Sequence, residues 1–94
     1  AMRVTFFNDL YNILERAHPE LDYDSIAYAL GLDSRIGHSH NQVPGPDDKF
    51  GWGGHCLPKD IAAFLNFAAR YDTELPLIDC VRRINSVHRK KTKD

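Results

Sequence analysis

Three side chains near the middle of the chain are spaced so that they could do chemistry together. Cys56, Lys59 and Asp60 lie in the stretch GWGGHCLPKD, residues 51–60. Pro58 predicts the first turn of a helix, which places the thiol at a helix N-terminus. Backbone N–H groups there stabilise an anion and so favour the reactive thiolate. On such a helix, side chains three and four residues apart share one edge with the cysteine.

This arrangement suits a cysteine nucleophile. The Lys59 ammonium would stabilise the thiolate, and the Asp60 carboxylate could orient a water or move a proton. The glycines before Cys56 let the backbone approach a ligand without obstruction by a Cβ. The same residues also fit a glycine turn that leads into a helix and holds a cysteine by chance. The residues alone leave both interpretations open.

Further polar side chains are candidates for binding. Arg35, in GLDSRIG, has the planar donor fork that binds a phosphate or a sugar hydroxyl, but a loop arginine is also an ordinary surface charge. His38, His40, His55 and Cys56 are of types that bind zinc, but their spacing matches no zinc signature. We therefore predict no metal site and keep a metal-binding module as an alternative.

Composition indicates one globular domain. The chain has 94 residues, of which 43% are hydrophobic and 27% charged. A formal net charge of −1 predicts neither a nucleic-acid nor a membrane partner, and the basic residues within 82–93 fit a solvated helix end. No apolar run reaches the roughly 18 residues of a membrane span, and no signal peptide is visible. We predict a cytoplasmic location, which disfavours a disulfide between Cys56 and Cys80.

Four segments with helical spacing of apolar residues must position these candidates. The predicted helices are residues 3–17, a segment from Asp22 or Asp24 to Gly31, a segment that opens at Pro58, and a segment that starts near Pro76 and is capped by Thr73. No segment alternates with a period of two. The sequence therefore predicts an all-α fold of about four helices.

A long glycine-rich segment separates the second and third of these helices. Residues 33–54 contain two prolines, five glycines and few periodic apolar side chains. A segment this long is usually functional or disordered, and its Phe50 and Trp52 argue for order. We predict that it is an ordered, functional loop; the family resemblance described below implies an active-site loop.

The apolar spacing also predicts which helix faces are buried. The first helix carries two stripes: Val4, Phe7, Tyr11 and Leu14, and then Phe6, Leu10, Ile13 and Ala17. Two stripes predict burial on two sides, either in the core or at a subunit interface. The last helix is expected to bury Leu77, Ile78, Val81, Ile84 and Val87, together with Cys80 as an inert thiol.

Several motifs resemble a known family. FFNDLYNI, GLDSRIG, PGPDDKFGWGGHCLPKD and RINSVHRK are similar, in this order, to segments of the central domain of the UDP-glucose/GDP-mannose dehydrogenase family. The resemblance covers nearly the whole chain and is strongest to members that oxidise UDP-glucose. It implies that residues 1–94 are the helical, dimerising central domain of an enzyme that oxidises the sugar C6 alcohol to a carboxylate in two NAD-dependent steps.

The resemblance also implies roles for individual residues. Cys56 matches the nucleophile that attacks the C6 aldehyde, to give a thiohemiacetal and then a thioester. Asp60 matches an aspartate that positions or activates water, and Lys59 matches a lysine near the cofactor and the active site. Arg35 matches an arginine that reaches the sugar nucleotide in a neighbouring subunit. The remaining substrate-binding positions form the loop along the substrate: Lys49, Phe50, Gly51, Trp52 and Gly53.

Parts of the family's architecture are expected outside these residues. The chain has no glycine-rich dinucleotide fingerprint, so NAD would be bound mainly by an N-terminal Rossmann domain that precedes it. A C-terminal domain would bind the nucleotide. We therefore expect the 94 residues alone to be inactive. Action on GDP-mannose or UDP-N-acetyl sugars, and a stand-alone dimerisation module, are the alternatives.

Overall fold

A computed structural model of the chain describes residues 1–54 and 56–91, except for the side chain of Cys56. Expectations about the His55 ring, the Cys56 thiol and residues 92–94 lie outside the described residues. Within them the fold is all-α, as predicted, and contains no strand. The helices are α1 (Met2–Ala17), α2 (Tyr23–Gly31), α3 (Cys56–Ala69) and α4 (Pro76–Lys90). None of them is long and apolar enough to cross a membrane.

The helix ends confirm one predicted cap and correct another. Asp22 is the N-cap of α2, where its carboxylate accepts hydrogen bonds from the Ser25 N–H at 3.3 Å and from the Ser25 hydroxyl at 2.8 Å. At α4 the N-cap is Leu75, which makes no side-chain cap. The Thr73 hydroxyl instead donates to the Tyr71 carbonyl at 3.1 Å, so the prediction that Thr73 caps α4 is wrong.

The hydrophobic core lies where α1, α2 and the loop between α2 and α3 meet. Its buried members are Phe7 of α1, Tyr23 and Ala27 of α2, and Val43 and Phe50 of the loop. One of the two predicted stripes of α1 thus faces the core. On the other stripe Phe6 and Ile13 remain 57% and 59% exposed.

Helix α4 packs against α1, and the two helices run parallel where they meet. His88 Nε2 lies 2.9 Å from Asp9 Oδ1, and Lys91 Nζ lies 2.5 Å from Asn12 Oδ1. The face of α4 turned inward carries Val81, Asn85 and His88, which are four and three residues apart and so lie on one side of the helix.

This orientation of α4 corrects three predictions. Leu77 and Val87 were expected to be buried, but they are 60% and 68% exposed because they lie off the Val81–His88 face. Cys80 was expected to be an inert buried thiol, but it is a free, exposed cysteine. Val81 is buried as predicted.

The molecule is elongated. Its principal extents are 47 × 32 × 24 Å, and its radius of gyration is 14.6 Å. A compact domain of this length has a radius of gyration of about 12 Å. Large apolar side chains remain exposed on all four helices, among them Phe6, Tyr28, Phe64 and Leu77. These faces are available for contact with other protein surfaces.

Candidate functional site

An open cavity of about 400 Å³ lies where the loop meets the start of α3. Its wall includes Val4 of α1, Leu57 of α3 and the backbone of residues 51–54. Asn41, Gln42 and Asp47 add polar side chains to the wall. Pockets of this size hold small organic ligands.

The loop wall is held by a side chain of α4 through the peptide groups of one residue. Asn85 Oδ1 accepts from the Trp52 N–H at 2.7 Å, and Asn85 Nδ2 donates to the Trp52 carbonyl at 2.8 Å. Both groups are buried, so these bonds satisfy atoms that water does not reach.

Helix α1 holds the same stretch from its other side. The Asn8 carboxamide oxygen accepts from the Gly51 N–H at 2.8 Å, and the Trp52 indole N–H donates to the Thr5 hydroxyl at 3.0 Å. Thr5 and Asn8 are buried and lie one helical turn apart. The wall of the cavity is therefore connected to both α1 and α4.

Gly51 fits this position for two reasons. Its φ is +77°, in the left-handed region that side chains rarely adopt. A Cβ at Gly51 would also collide with the Asn85 carboxamide oxygen and press on Cβ of His88. A glycine here lets the loop approach α4 closely enough for the bonds to Asn85 to form.

Arg89 bridges two parts of the cavity wall. Its Nε donates to the Trp52 carbonyl at 2.9 Å, and its NH1 lies 2.8 Å from Asp47 Oδ2. The hydrogen bond from Arg89 holds the pKa of the Asp47 carboxyl below its ordinary value. The guanidinium lies where a side chain at Gly53 would project, which explains glycine at that position.

The earlier part of the loop is tied to α1 and α2. The Arg3 guanidinium donates to the Ser39 carbonyl at 2.9 Å and also to the Ile36 carbonyl. The Tyr23 hydroxyl donates to the Asn41 carbonyl at 2.6 Å. Burial raises the pKa of Tyr23, with a smaller contribution from the Asp24 charge, so the phenol remains a donor.

His88 stands beside the held loop. Its Nε2 faces Asp9, whereas its buried Nδ1 has no hydrogen-bond partner in the part of the chain that the structure describes. The contact between His88 and Asp9 therefore joins α4 to α1, and the His88 Cβ lies close to Gly51.

The predicted loop residues divide into two sets. Gly51, Trp52 and Gly53 line the cavity. Phe50 instead points its ring into the core, where it is 3% exposed and lies beneath the Lys91 ammonium at 4.7 Å. Lys49 is exposed and shapes the preceding turn, since its N–H donates to Asp47 Oδ1 at 3.1 Å.

The charged candidates lie outside the cavity lining. Lys59 and Asp60 are exposed on the first turn of α3. Arg35 is exposed and pairs with Asp33 two residues earlier, at 2.7 Å. Its hydrogen bonds lower the pKa of Asp33. The side chain of Cys56 is not described, but Cys56 is the first residue of α3.

The residues that hold the loop were missed in the sequence. Thr5, Asn8, Asn85 and His88 attracted no functional interpretation, although all four are buried polar residues, and Arg89 was assigned to a solvated helix end, whereas it bonds to Trp52 and Asp47. A signal was present: Asn85 follows the apolar Val81 by four residues, and therefore continues a buried face with a polar side chain.

The N-terminus of α3 favours negative charge next to the cavity. Helix α3 runs for 14 residues from Cys56, so its first N–H groups and its dipole favour negative charge at that end. Gly54 and Leu57, on either side of this start, line the cavity. A thiolate at Cys56, or an oxyanion formed next to it, would be stabilised there.

Comparisons with known proteins agree on a family. Residues 1–87 match the description "UDP-glucose/GDP-mannose dehydrogenase family, central domain". UDP-glucose 6-dehydrogenase TuaD of Bacillus subtilis is 36% identical over 89 residues, which is 95% of this chain and 18% of that protein. UDP-glucose 6-dehydrogenase of Campylobacter jejuni is 36% identical over 91 residues, which is 96% of the chain and 21% of that protein.

A third relative carries a different substrate in its name. GDP-mannose 6-dehydrogenase of Azotobacter vinelandii is 33% identical over 95 residues, which covers 100% of this chain and 20% of that protein. The chain thus spans about a fifth of the length of the curated relatives it matches.

Proposed function

Since this chain belongs to the UDP-glucose/GDP-mannose dehydrogenase family, we propose that it is the central domain of an NAD-dependent UDP-glucose 6-dehydrogenase. Such an enzyme oxidises UDP-glucose to UDP-glucuronate. The observation that carries the proposal is the family match over residues 1–87, and the names of two relatives above support this substrate. The cavity at the start of α3 supplies a place for the sugar.

In the proposed reaction Cys56 is the nucleophile. NAD supplies the hydride acceptor for both oxidations. After the C6 alcohol has lost its first hydride and a proton, the Cys56 thiolate adds to the aldehyde carbon, and the oxygen takes a proton to give a thiohemiacetal. Loss of that proton and a second hydride leaves a thioester, which water cleaves to the carboxylate and the free thiol.

The residues around Cys56 have distinct proposed roles. Asp60, four residues later on α3, orients or deprotonates the attacking water. The backbone of Gly51, Trp52 and Gly53 lies along the sugar. The exposed guanidinium of Arg35 reaches the sugar nucleotide of a neighbouring subunit, and its planar fork suits that ligand.

The described residues fit only a peripheral contact with NAD. They contain no strand, and a dinucleotide fold needs a strand that leads into a glycine-rich turn. Lys59 is exposed near the start of α3, where its ammonium can contact an anionic cofactor held by another domain. The 94 residues alone are therefore proposed to lack dehydrogenase activity.

Two further features belong to the proposal. The exposed apolar stripe of α1 supports a homodimer in which this helix contributes the interface. A cytoplasmic location is also part of the proposal.

The test compares the two cysteines in the full-length protein that carries this chain. Cys56→Ser should lower the formation of NADH with UDP-glucose by about a thousandfold or more, as expected for loss of a nucleophile. Cys80→Ser is the matched control and should retain wild-type activity. Full activity in the Cys56 variant would contradict the proposed mechanism.

The second candidate substrate is GDP-mannose, which is favoured by the relative from Azotobacter vinelandii. Product analysis of the full-length protein with UDP-glucose, GDP-mannose and a UDP-N-acetyl sugar separates the candidates. UDP-glucuronate as the main product supports the first, and GDP-mannuronate supports the second.

A further inference from the structure

The peptide groups of Trp52 are held at both polar atoms by one side chain. We propose that Asn85 is a positioning residue that fixes the cavity wall relative to the start of α3. Its carboxamide accepts from the Trp52 N–H at 2.7 Å and donates to the Trp52 carbonyl at 2.8 Å. The inference rests on the proposed function, because it concerns how Cys56 is presented to a sugar in the cavity.

The chemistry of position 85 favours this role over simple packing. Asn85 is buried on the face of α4 that also carries Val81 and His88. A buried carboxamide is stable only where its atoms find partners, and here one oxygen and one nitrogen both serve Trp52. The asparagine carboxamide offers a donor and an acceptor on separate atoms, whereas an ionised aspartate has only acceptors and leucine has neither.

Arg89 completes the hold from the next turn of α4. Its Nε donates to the same Trp52 carbonyl at 2.9 Å, and its guanidinium pairs with Asp47 across the cavity wall. The guanidinium covers Gly53 so closely that any larger residue there would collide with it. Two positions on α4, four residues apart, therefore bond to Trp52, and the guanidinium of the second lies against Gly53.

The segment held by α4 ends three residues before the proposed nucleophile. Gly54 has φ +84° and open space around the direction in which a Cβ would lie. Cys56 then begins α3, four residues after Trp52. Helix α4 also packs against α3, so it connects the segment held at Trp52 to the helix that Cys56 begins.

The test uses three variants of the full-length protein that carries this chain. Asn85→Ala removes both bonds to Trp52, and Asn85→Asp keeps the size and the acceptor but removes the donor. Val81→Ala is the matched control, because it shortens a buried side chain on the same face of α4. Hydrogen exchange of the amides of residues 51–53 is measured beside kcat and the KM values.

Asn85→Ala should speed exchange at residues 51–53 by about tenfold or more, since these amides then open locally. The kcat for sugar oxidation should fall between about tenfold and a hundredfold, as expected for a misplaced reacting group. The KM for NAD should remain unchanged. Asn85→Asp should be intermediate in both, and Val81→Ala should change neither by more than about twofold.

Two outcomes would overturn the inference. One is exchange at residues 51–53 that is as slow in both Asn85 variants as in the wild type. The other is a loss of kcat in these variants no larger than in Val81→Ala. A wild-type protein that oxidises no nucleotide sugar would refute the proposed function. The inference would then fall with it, even if exchange is faster in the variants, because there would be no activity for Asn85 to support. An active wild type whose Asn85 variants behave like the wild type would refute the inference alone.

Discussion

Gly51 is the residue at which the loop, α1 and α4 come closest together. Its φ of +77° and the Asn85 oxygen and His88 Cβ beside it leave no room for a side chain. We expect Gly51→Ala to lower the free energy of unfolding by about 2–5 kcal/mol, from left-handed backbone strain and overpacking together. Urea unfolding of the purified protein measures the loss.

Gly37 provides the matched control for that substitution. Its φ is +70°, but no atom lies within 4 Å of the position that a Cβ would take. Gly37→Ala should therefore cost only the backbone strain, about 1–2 kcal/mol. Equal losses at Gly37 and Gly51 would show that the close approach to α4 does not matter.

Asp47 and Arg89 give a prediction that depends on pH. The hydrogen bond from Arg89 lowers the pKa of Asp47 in the folded state. The pair therefore stabilises the fold above the unfolded pKa of Asp47, and this stability is lost as the pH falls through the lower folded pKa. Because the Asp47 side chain is 43% exposed, we expect a contribution below about 1 kcal/mol.

Carboxyl titration by NMR measures this effect directly. In Arg89→Ala the pKa of Asp47 should rise towards its ordinary value of about 3.9. The pKa of Asp33 is lowered by Arg35 and should stay where it is, which makes it an internal control. An unchanged Asp47 titration would mean that Arg89 does not bind this carboxylate in solution.

At the scale of the element, α2 depends on its cap. The Asp22 carboxylate accepts the Ser25 N–H, which α2 itself leaves without a partner. Asp22→Ala should lower the free energy of unfolding by about 1 kcal/mol. Asp24→Ala removes a first-turn charge without removing the cap and should cost at most about 0.5 kcal/mol. The reverse order in denaturant unfolding would contradict the assignment of the cap.

At the scale of the whole molecule, the exposed apolar stripe of α1 predicts a contact with another protein surface. Phe6 and Ile13 lie on the same side of α1 and are more than half exposed. If a second copy covers them, Phe6→Glu together with Ile13→Glu should weaken the dimer by about a hundredfold, since buried charges at an interface are costly. Sedimentation equilibrium of the full-length protein measures the change.

Phe67 on α3 is the control for the dimer. It is also more than half exposed but lies on a different helix, so Phe67→Glu should leave the association constant unchanged. If only the Phe67→Glu protein dissociates, the interface lies on α3 instead. A wild type that sediments as a monomer would refute the proposed dimer.

The sequence alone determined the features that depend on local spacing and on motifs. The 3.6-residue period gave four helices, Asp22 or Asp24 was predicted to cap α2, and Gly31 gave its end; the structure confirms the helices and this end and selects Asp22 as the cap. The motif around Cys56 identified the family that the comparisons support. These signals succeed because a helix and its cap form between residues only a few positions apart.

The tertiary structure alone decided how α4 is turned and what holds the loop. Periodicity along one helix does not tell which of its faces meets another element, so Leu77, Val87 and Cys80 were assigned to the wrong side. The bonds of Asn85 and Thr5 to Trp52 join residues 33 and 47 positions apart. The packing of α1 against α4 determines these partners, because only folding brings into contact a donor and an acceptor that are so far apart in the sequence.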